Sequence, residues 1–209
     1  MYTLYWSPNS AAMAPHGVLL ETGARFELVE LSLERKQHQS PEYLKLNPNG
    51  RVPTLVVDGK DVIFESAAVC MYLADRHPAA GLAPAVDDPG RGLYLQWLTY
   101  MSNTLQPAYL HHYYADRYIS NPEHAPEVAE KAREDLGVIW GRIDQAIGAG
   151  PYMLGERYSA CDLYLLMLST WQDALPGLYQ RFPNVKRCVD HVLQRPAVID
   201  LMRRNGIAA

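Results

Sequence analysis

The strongest constraint on what this chain can fold into is a change of texture at residues 78–90. Pro78, Pro84 and Pro89, with the acidic pair Asp87-Asp88 and with Gly90, interrupt every periodic pattern there, because proline stops helices and cannot join a central ladder. On the N-terminal side, short apolar runs alternate with helical patterns and turn residues. On the C-terminal side only helical periodicity is found. A chain that switches in this way is expected to form two units joined by a linker, here residues 1–78, 79–89 and 90–209. Its 209 residues suffice for one large or two small domains.

Within the first unit, Tyr2–Trp6 is an apolar run followed by the turn Ser7-Pro8-Asn9-Ser10. A helix over about Ala12–Thr22 tolerates Pro15 in its first turn and stops at Gly23. Phe26–Leu31 predicts a second strand. Ser40 followed by Pro41 supplies an N-cap and a proline at N1, opening a short helix that ends before Pro48. Pro53–Val57 and Val62–Phe64 flank Asp58-Gly59-Lys60, the strongest hairpin signal in the chain. Ser66 is expected to cap a helix running to about His77. The order is therefore β-α-β-α-β-β-α. Beyond the linker, helices are expected over about Arg91–Tyr118 with a bend at Pro107, then Glu123–Ile147, Cys161–Leu175, Val185–Gln194 and Ala197–Arg204.

Composition narrows the function. The net charge is −4 and the 19 Lys plus Arg form no dense run, which argues against nucleic-acid and anionic-membrane partners. The three cysteines, Cys70, Cys161 and Cys188, stand at no metal-ligand or Cys-x-x-Cys spacing. Free thiols of this kind suit a cytoplasmic protein. The first 24 residues lack Lys and Arg, so no signal peptide is read there. The longest apolar run, Ala67–Ala74, falls far short of the ~20 residues needed to span a bilayer.

Several short motifs carry chemistry. Val52-Pro53, between a turn and a strand, is a candidate cis peptide, and Pro53 cannot donate to a ladder, so the backbone beside it is free for a ligand. Glu65 and Ser66 stand at the hairpin exit, where a helix N-terminus with a hydroxyl attracts a carboxylate and a carboxylate side chain attracts an ammonium. The same residues also make an ordinary cap and a favourable first-turn charge. Later, Ser159 and Asp162 have the spacing of a capping box.

Residues 47–59, Asn-Pro-Asn-Gly-Arg-Val-Pro-Thr-Leu-Val-Val-Asp-Gly, and residues 64–73, Phe-Glu-Ser-Ala-Ala-Val-Cys-Met-Tyr-Leu, closely resemble the glutathione-binding half of cytosolic glutathione S-transferases. Arg157-Tyr158-Ser159-Ala160-Cys161-Asp162 resembles that family's helical-domain capping motif. The resemblance covers essentially the whole chain. It implies a thioredoxin-like α/β N-terminal domain followed by an all-α domain, with glutathione as co-substrate and a homodimeric assembly. It further implies that Val52 offers its N–H and C=O to the cysteinyl part of glutathione. By similarity Ser66 holds the γ-glutamyl carboxylate and Glu65 faces the amine. His38 matches a position that binds the glycyl carboxylate in plant-type members, with Gln39 where Lys is usual; Arg51 is a second candidate for that carboxylate.

An enzyme that conjugates glutathione must stabilise its thiolate, since a thiol of pKa ~8.5 is only a few per cent ionised at neutral pH. Trp6 stands where tyrosine-type members carry Tyr. Ala11 stands where bacterial cysteine-type members, otherwise similar around Ser7-Pro8 and Ala14-Pro15-His16, carry Cys. That class also uses Asn, His and Lys where this chain has Thr99, Gln106 and Pro107. Ser10 fits the serine-type pattern, two residues after Pro8, and Ser7 is its backup; both serines also suit a plain turn.

Tyrosine is in surplus, 14 against 3 Phe, and Tyr94, Tyr100, Tyr109, Tyr113, Tyr114 and Tyr118 crowd one stretch. On the first long helix they suggest a half-wet wall for a small hydrophobic electrophile, with Tyr100, Asn103 and Tyr109 as candidates. His111-His112 diverge by about 100° on a helix and are not read as a metal pair, and no metal site is expected. His16 is expected to pack within or between domains. The leading expectation is a glutathione transferase. Its rivals are another glutathione-dependent reaction on the same fold (peroxidase, dehalogenase, etherase or isomerase) and a non-enzymatic glutathione-binding or regulatory protein.

Overall fold

The computed structural model describes residues 1–207. Its first part is a four-stranded sheet of order β2-β1-β3-β4, made of β1 (Tyr2–Trp6), β2 (Phe26–Glu30), β3 (Thr54–Val57) and β4 (Asp61–Phe64). β1 and β2 run parallel, joined by α1 (Met13–Thr22), while β3 and β4 are antiparallel additions. Parallel strands need such a crossover, whereas Asp58 and Gly59, both at positive φ, turn the β3–β4 hairpin tightly. α2 (Pro41–Leu44) starts on the predicted cap, Ser40 accepting from the Tyr43 N–H. Leu4 pairs with Leu28 on one side and Leu55 on the other, and the inward faces of the sheet and α1 merge into one core. The sequence-based order of elements thus stands.

The first correction concerns α3 (Ser66–Arg76). Ser66 is its first residue rather than its cap. Glu65 occupies the cap position with φ 73°, and the Ser66 hydroxyl donates to the Ala11 carbonyl at 2.6 Å. Ser66 is already the first helical residue, and its hydroxyl is turned toward Ala11, so the cap position falls to the residue before it.

Residues 78–90 look like a linker in composition but are strapped down. Leu82 is fully buried and its carbonyl accepts from the Ala160 N–H at 2.8 Å. Arg91 pairs with Asp75, and Arg157 with Asp88, each at 2.7 Å.

All regular elements after this segment are helical: α4 (Arg91–Tyr100), α5 (Gln106–Tyr113), α6 (Ala125–Ile147), α7 (Ala160–Ser169), α8 (Leu178–Arg181), α9 (Pro183–Val192) and α10 (Pro196–Arg204). α7 is buried along its whole length and packs on α1, which also meets α10. Its capping box is present: Ser159 caps the first turn and Asp162 reaches back to the Ser159 N–H.

Three expectations change here. The long helix expected to Tyr118 opens into a π-helical segment, Met101–Leu105, in which the Gln106 N–H reaches back to Met101. The wider turn precedes Pro107, which has no N–H to give and would otherwise crowd the previous turn. The helix then ends at Tyr113, because Tyr114 leaves the helical region (φ −130°, ψ 40°), and a 3₁₀ turn follows at Ala115–Tyr118. α7 stops at Ser169 instead of Leu175: the hydroxyls of Ser169 and Thr170 bond back to the Leu166 and Met167 carbonyls, a competition that favours helix ends. α8 is an element the periodicity does not reveal. Among the described residues, no helix is long and apolar enough to cross a membrane.

Candidate active site

Ser7, Ser10, Pro53 and Ser66 lie at the C-terminal end of β1, where Thr54 pairs with Tyr5 and with Phe64 and Ser66 bonds to Ala11. The Ser7–Ser10 turn is held from several sides. The Trp6 carbonyl accepts from the Leu31 N–H at 2.8 Å. Asn9, at φ 49°, donates its N–H to Asn205 Oδ1 (3.1 Å), while the Thr170 hydroxyl reaches Asn9 Oδ1 (3.3 Å). The Ser10 hydroxyl donates to the Ser7 carbonyl at 2.6 Å and accepts from the Ala12 N–H at 3.2 Å. Ser7 is buried, and its hydroxyl has no partner among the described residues.

The second component is the turn before β3. The Val52-Pro53 peptide is cis, as the motif suggests. Among the described residues the Val52 N–H and C=O join no backbone hydrogen bond, so this peptide presents an open strand edge. Beneath it, the Tyr43 hydroxyl donates to the Arg51 carbonyl (2.6 Å) and meets Thr54 Oγ1 (2.7 Å), and the Asn47 amide bonds the same two atoms at 2.9 and 3.1 Å. Burial pushes the Tyr43 phenol upward, so it stays a neutral donor. Gln39 clasps the turn from outside, its amide donating to the Gly50 carbonyl at 2.9 Å. Gly50 has φ 56°, and a Cβ there would run into that amide. The Arg51 side chain is exposed.

The third component is the start of α3. Glu65 is exposed, and a non-glycine residue at φ 73° costs about 1–3 kcal/mol, strain of the kind that collects at functional positions. Through Ser66 and Ala11, α3 is one hydrogen bond from the Ser7–Ser10 turn. His38 sits half-buried on a 3₁₀ turn, with a buried and unpartnered Nδ1. Partial burial, then Arg117 and Lys36, hold it below the ordinary imidazole range.

An open peptide, a hydroxyl at a helix N-terminus, a free carboxylate and nearby cations suit a zwitterionic peptide. Residues 1–75 match the family model for the glutathione S-transferase N-terminal domain. Glutathione S-transferase F14 of Arabidopsis thaliana is 30% identical, over 95% of this chain and 84% of its own length. The chain belongs to the glutathione S-transferase family. Glutathione S-transferase GstA of Escherichia coli O157:H7 is 25% identical over 98% of both chains. The structure of a glutathione transferase homologue from Sulfitobacter, solved with bound glutathione, superposes with a TM-score of 0.91 at 25% identity, covering 100% of this chain and 99% of that one.

The helical wall of this transferase-family site departs from the sequence reading. Tyr109 is fully buried between α5 and α6, its hydroxyl accepting from the Trp140 indole at 2.9 Å, so it is core and not cleft wall. The π-helical segment and the large α6 surface fix that orientation. Tyr100 is half-buried against Trp97 with a buried, unpartnered hydroxyl, and Asn103 is exposed on the π-helical segment. Gln106 and Tyr164 lie outside the sequence-predicted site, yet the Tyr164 hydroxyl donates to Gln106 Oε1 at 2.6 Å and lies beside Ser66. Only a fold-level argument could pair them. His16 is buried between the edges of Trp6 and Phe26, as a packing role requires; burial, with Arg204 nearby, pushes its pKa down to about 4. His111 packs on Tyr118 while His112 meets the Ala129 carbonyl, so the two rings go separate ways.

Proposed function

We propose that the protein is a glutathione transferase that joins the glutathione sulfur to a small hydrophobic electrophile. The open Val52 peptide carries this reading: it leads into Thr54, which pairs with Tyr5 near the end of β1 and with Phe64 just before Glu65 and Ser66, and it matches what an extended peptide needs when it adds as a strand. Val52 pairs with the cysteinyl unit beside Pro53. Ser66, through its N–H and a hydroxyl released from Ala11, takes the γ-glutamyl carboxylate, and Glu65 takes the amine. His38 or Arg51 meets the glycyl carboxylate.

The cysteinyl sulfur then faces the Ser7–Ser10 turn. Ser10 donates to the thiolate by turning its proton away from the Ser7 carbonyl, aided by the positive end of α1. Ser7 is the second candidate, supported by its uncommitted hydroxyl. Each pKa unit of lowering represents about 1.4 kcal/mol, within reach of one hydroxyl bond to an anion. The thiol proton leaves to solvent, and the sulfur pair forms the new carbon–sulfur bond while a halide departs with its carbon–halogen pair or, in an enal, the carbon–carbon π pair shifts toward the carbonyl and is protonated from solvent. The electrophile rests on the helical side, for which Tyr100 and Asn103 are candidates. In this reading the protein works in the cytoplasm as a homodimer, a second copy covering exposed Val62 and Phe64 of β4 and Leu93 of α4.

The test is product mass across aryl halides, enals, hydroperoxides and maleyl compounds. Glutathione adducts of aryl halides or enals are expected, with Ser10→Ala slowing their formation at least tenfold. Glutathione disulfide alone, or isomerised maleyl compound alone, would place the protein with the other reactions of this fold.

A further inference from the structure

From the Ser7–Ser10 turn, one continuous wall runs along the helical side of the cleft. Asn9 bonds Thr170, and the carbonyl of the next residue, Trp171, accepts from the Tyr113 hydroxyl at 2.8 Å. Tyr113 and Tyr114 are exposed, and the Arg117 guanidinium lies over the Tyr114 ring, 3.9 Å from its centroid. His38 is close enough to Arg117 to feel its charge, as it feels that of Lys36. This wall is therefore aromatic at Tyr113 and Tyr114 and cationic at Arg117.

The charges there are unbalanced. Among the described residues no carboxylate lies within ion-pair distance of Arg117, although its neighbour Asp116 is exposed and Asp173 faces Tyr113. Glutathione's glycyl carboxylate needs one strong donor, and on the α/β side Arg51 offers a cation and His38 a ring N–H. Arg117 remains, oriented by its stacking on Tyr114, which lowers the freedom lost when it binds an anion.

The geometry points to an electrophile that carries a carboxylate on an aromatic or apolar body, the body lying on Tyr113 and Tyr114 and the carboxylate meeting Arg117. This rests on the transferase reading above. With a chloronitrobenzoate, for example, the thiolate pair becomes a bond to the ring carbon bearing chlorine, the carbon–chlorine bond breaks, and chloride leaves with the electron pair of that broken bond. The ring carboxylate is untouched.

Binding of two conjugates by calorimetry tests this without turnover: S-benzylglutathione and S-(4-carboxybenzyl)glutathione, against wild type, Arg117→Met and Arg117→Lys. Wild type is expected to prefer the carboxylated conjugate by about tenfold, as a charge-assisted pair allows. The preference should vanish in Arg117→Met, survive in part in Arg117→Lys, and shrink with added salt. Equal binding of the two by wild type, or a preference that persists in Arg117→Met, overturns the inference while leaving the transferase reading intact. Loss of affinity for both conjugates alike in Arg117→Met would assign Arg117 to the glycyl carboxylate and also overturn it. If wild type binds neither conjugate, the glutathione reading itself fails.

Discussion

In the proposed site, the α/β side offers backbone atoms and short side chains fixed in turns: the Val52 peptide, the Ser66 N–H and hydroxyl, and the Ser7–Ser10 turn. They are positioned by local hydrogen bonds such as Tyr43 to Arg51 and Ser66 to Ala11. On the helical side, the groups are long side chains whose direction depends on how α4, α5 and α6 pack and on the π-helical segment between the first two. Turns of the first kind specify one invariant ligand. A helical wall of the second kind can be re-faced by a few substitutions, which suits a variable second substrate. The α/β side should therefore control glutathione affinity and thiol ionisation, and the helical side electrophile choice and much of the stability.

The largest expected effect is on stability of the helical side. Buried Asp162 accepts from the Met153 N–H (2.6 Å), the Ser159 N–H (2.7 Å) and the Ser159 hydroxyl (3.1 Å), and burial raises its pKa to about 6 despite them. Asp162→Ala strands two buried N–H groups and should cost roughly 3–4 kcal/mol in urea unfolding. A loss below 1 kcal/mol would mean that α7 does not depend on its cap.

The seam between the two sides comes next. His16 is neutral in the fold, with a pKa of about 4 against an ordinary 6.5. Between those values the unfolded chain binds more protons, so this contribution to stability is present above pH 6.5 and is lost as pH falls toward 4. It is worth roughly 3 kcal/mol over that span. In His16→Phe that part of the slope should disappear, read as the difference from wild type so that Asp162 and other groups cancel. Parallel slopes would show that His16 is charged or solvated in the fold.

A smaller effect, of about tenfold, is expected in glutathione affinity for Glu65→Gly. The same variant relieves the φ 73° backbone and should gain about 1 kcal/mol in stability. Opposite signs for binding and stability would mark Glu65 as strained for its ligand, and a loss of both would make it structural.

The smallest effect belongs to Tyr109→Phe. It leaves the Trp140 indole N–H without its acceptor, costing about 1 kcal/mol, while electrophile kinetics stay as in wild type. A changed electrophile KM with unchanged stability would return Tyr109 to the cleft wall.

The same contrast governs what can be read from the sequence. Ser40-Pro41, Asp58-Gly59, Val52-Pro53 and Ser159–Asp162 each act within a few residues, so their geometry is written locally and the structure reproduces it. Ser66 is the instructive failure on that side: its partner is Ala11, 55 positions away, and no local rule could show the hydroxyl drawn there instead of into a cap. Tyr109 failed for a longer-range reason. Whether a tyrosine of α5 faces the cleft or α6 depends on one extra residue per turn before Pro107 and on where Trp140 sits. Gln106 and Tyr164 are 58 positions apart and meet only because α7 runs beneath both sides. Arg117 lies just past a helix end set by Tyr114, where periodicity gives no warning.

The most direct measurement is an ultraviolet difference titration of glutathione bound to the wild-type protein, following thiolate absorbance with pH. Ionisation of the bound thiol at least one unit below the free value near 8.5 is expected, with the midpoint moving back up in Ser10→Ala, or in Ser7→Ala if that hydroxyl is the donor. Glutathione that binds tightly yet ionises at its free value would contradict the assignment of thiol activation to this turn.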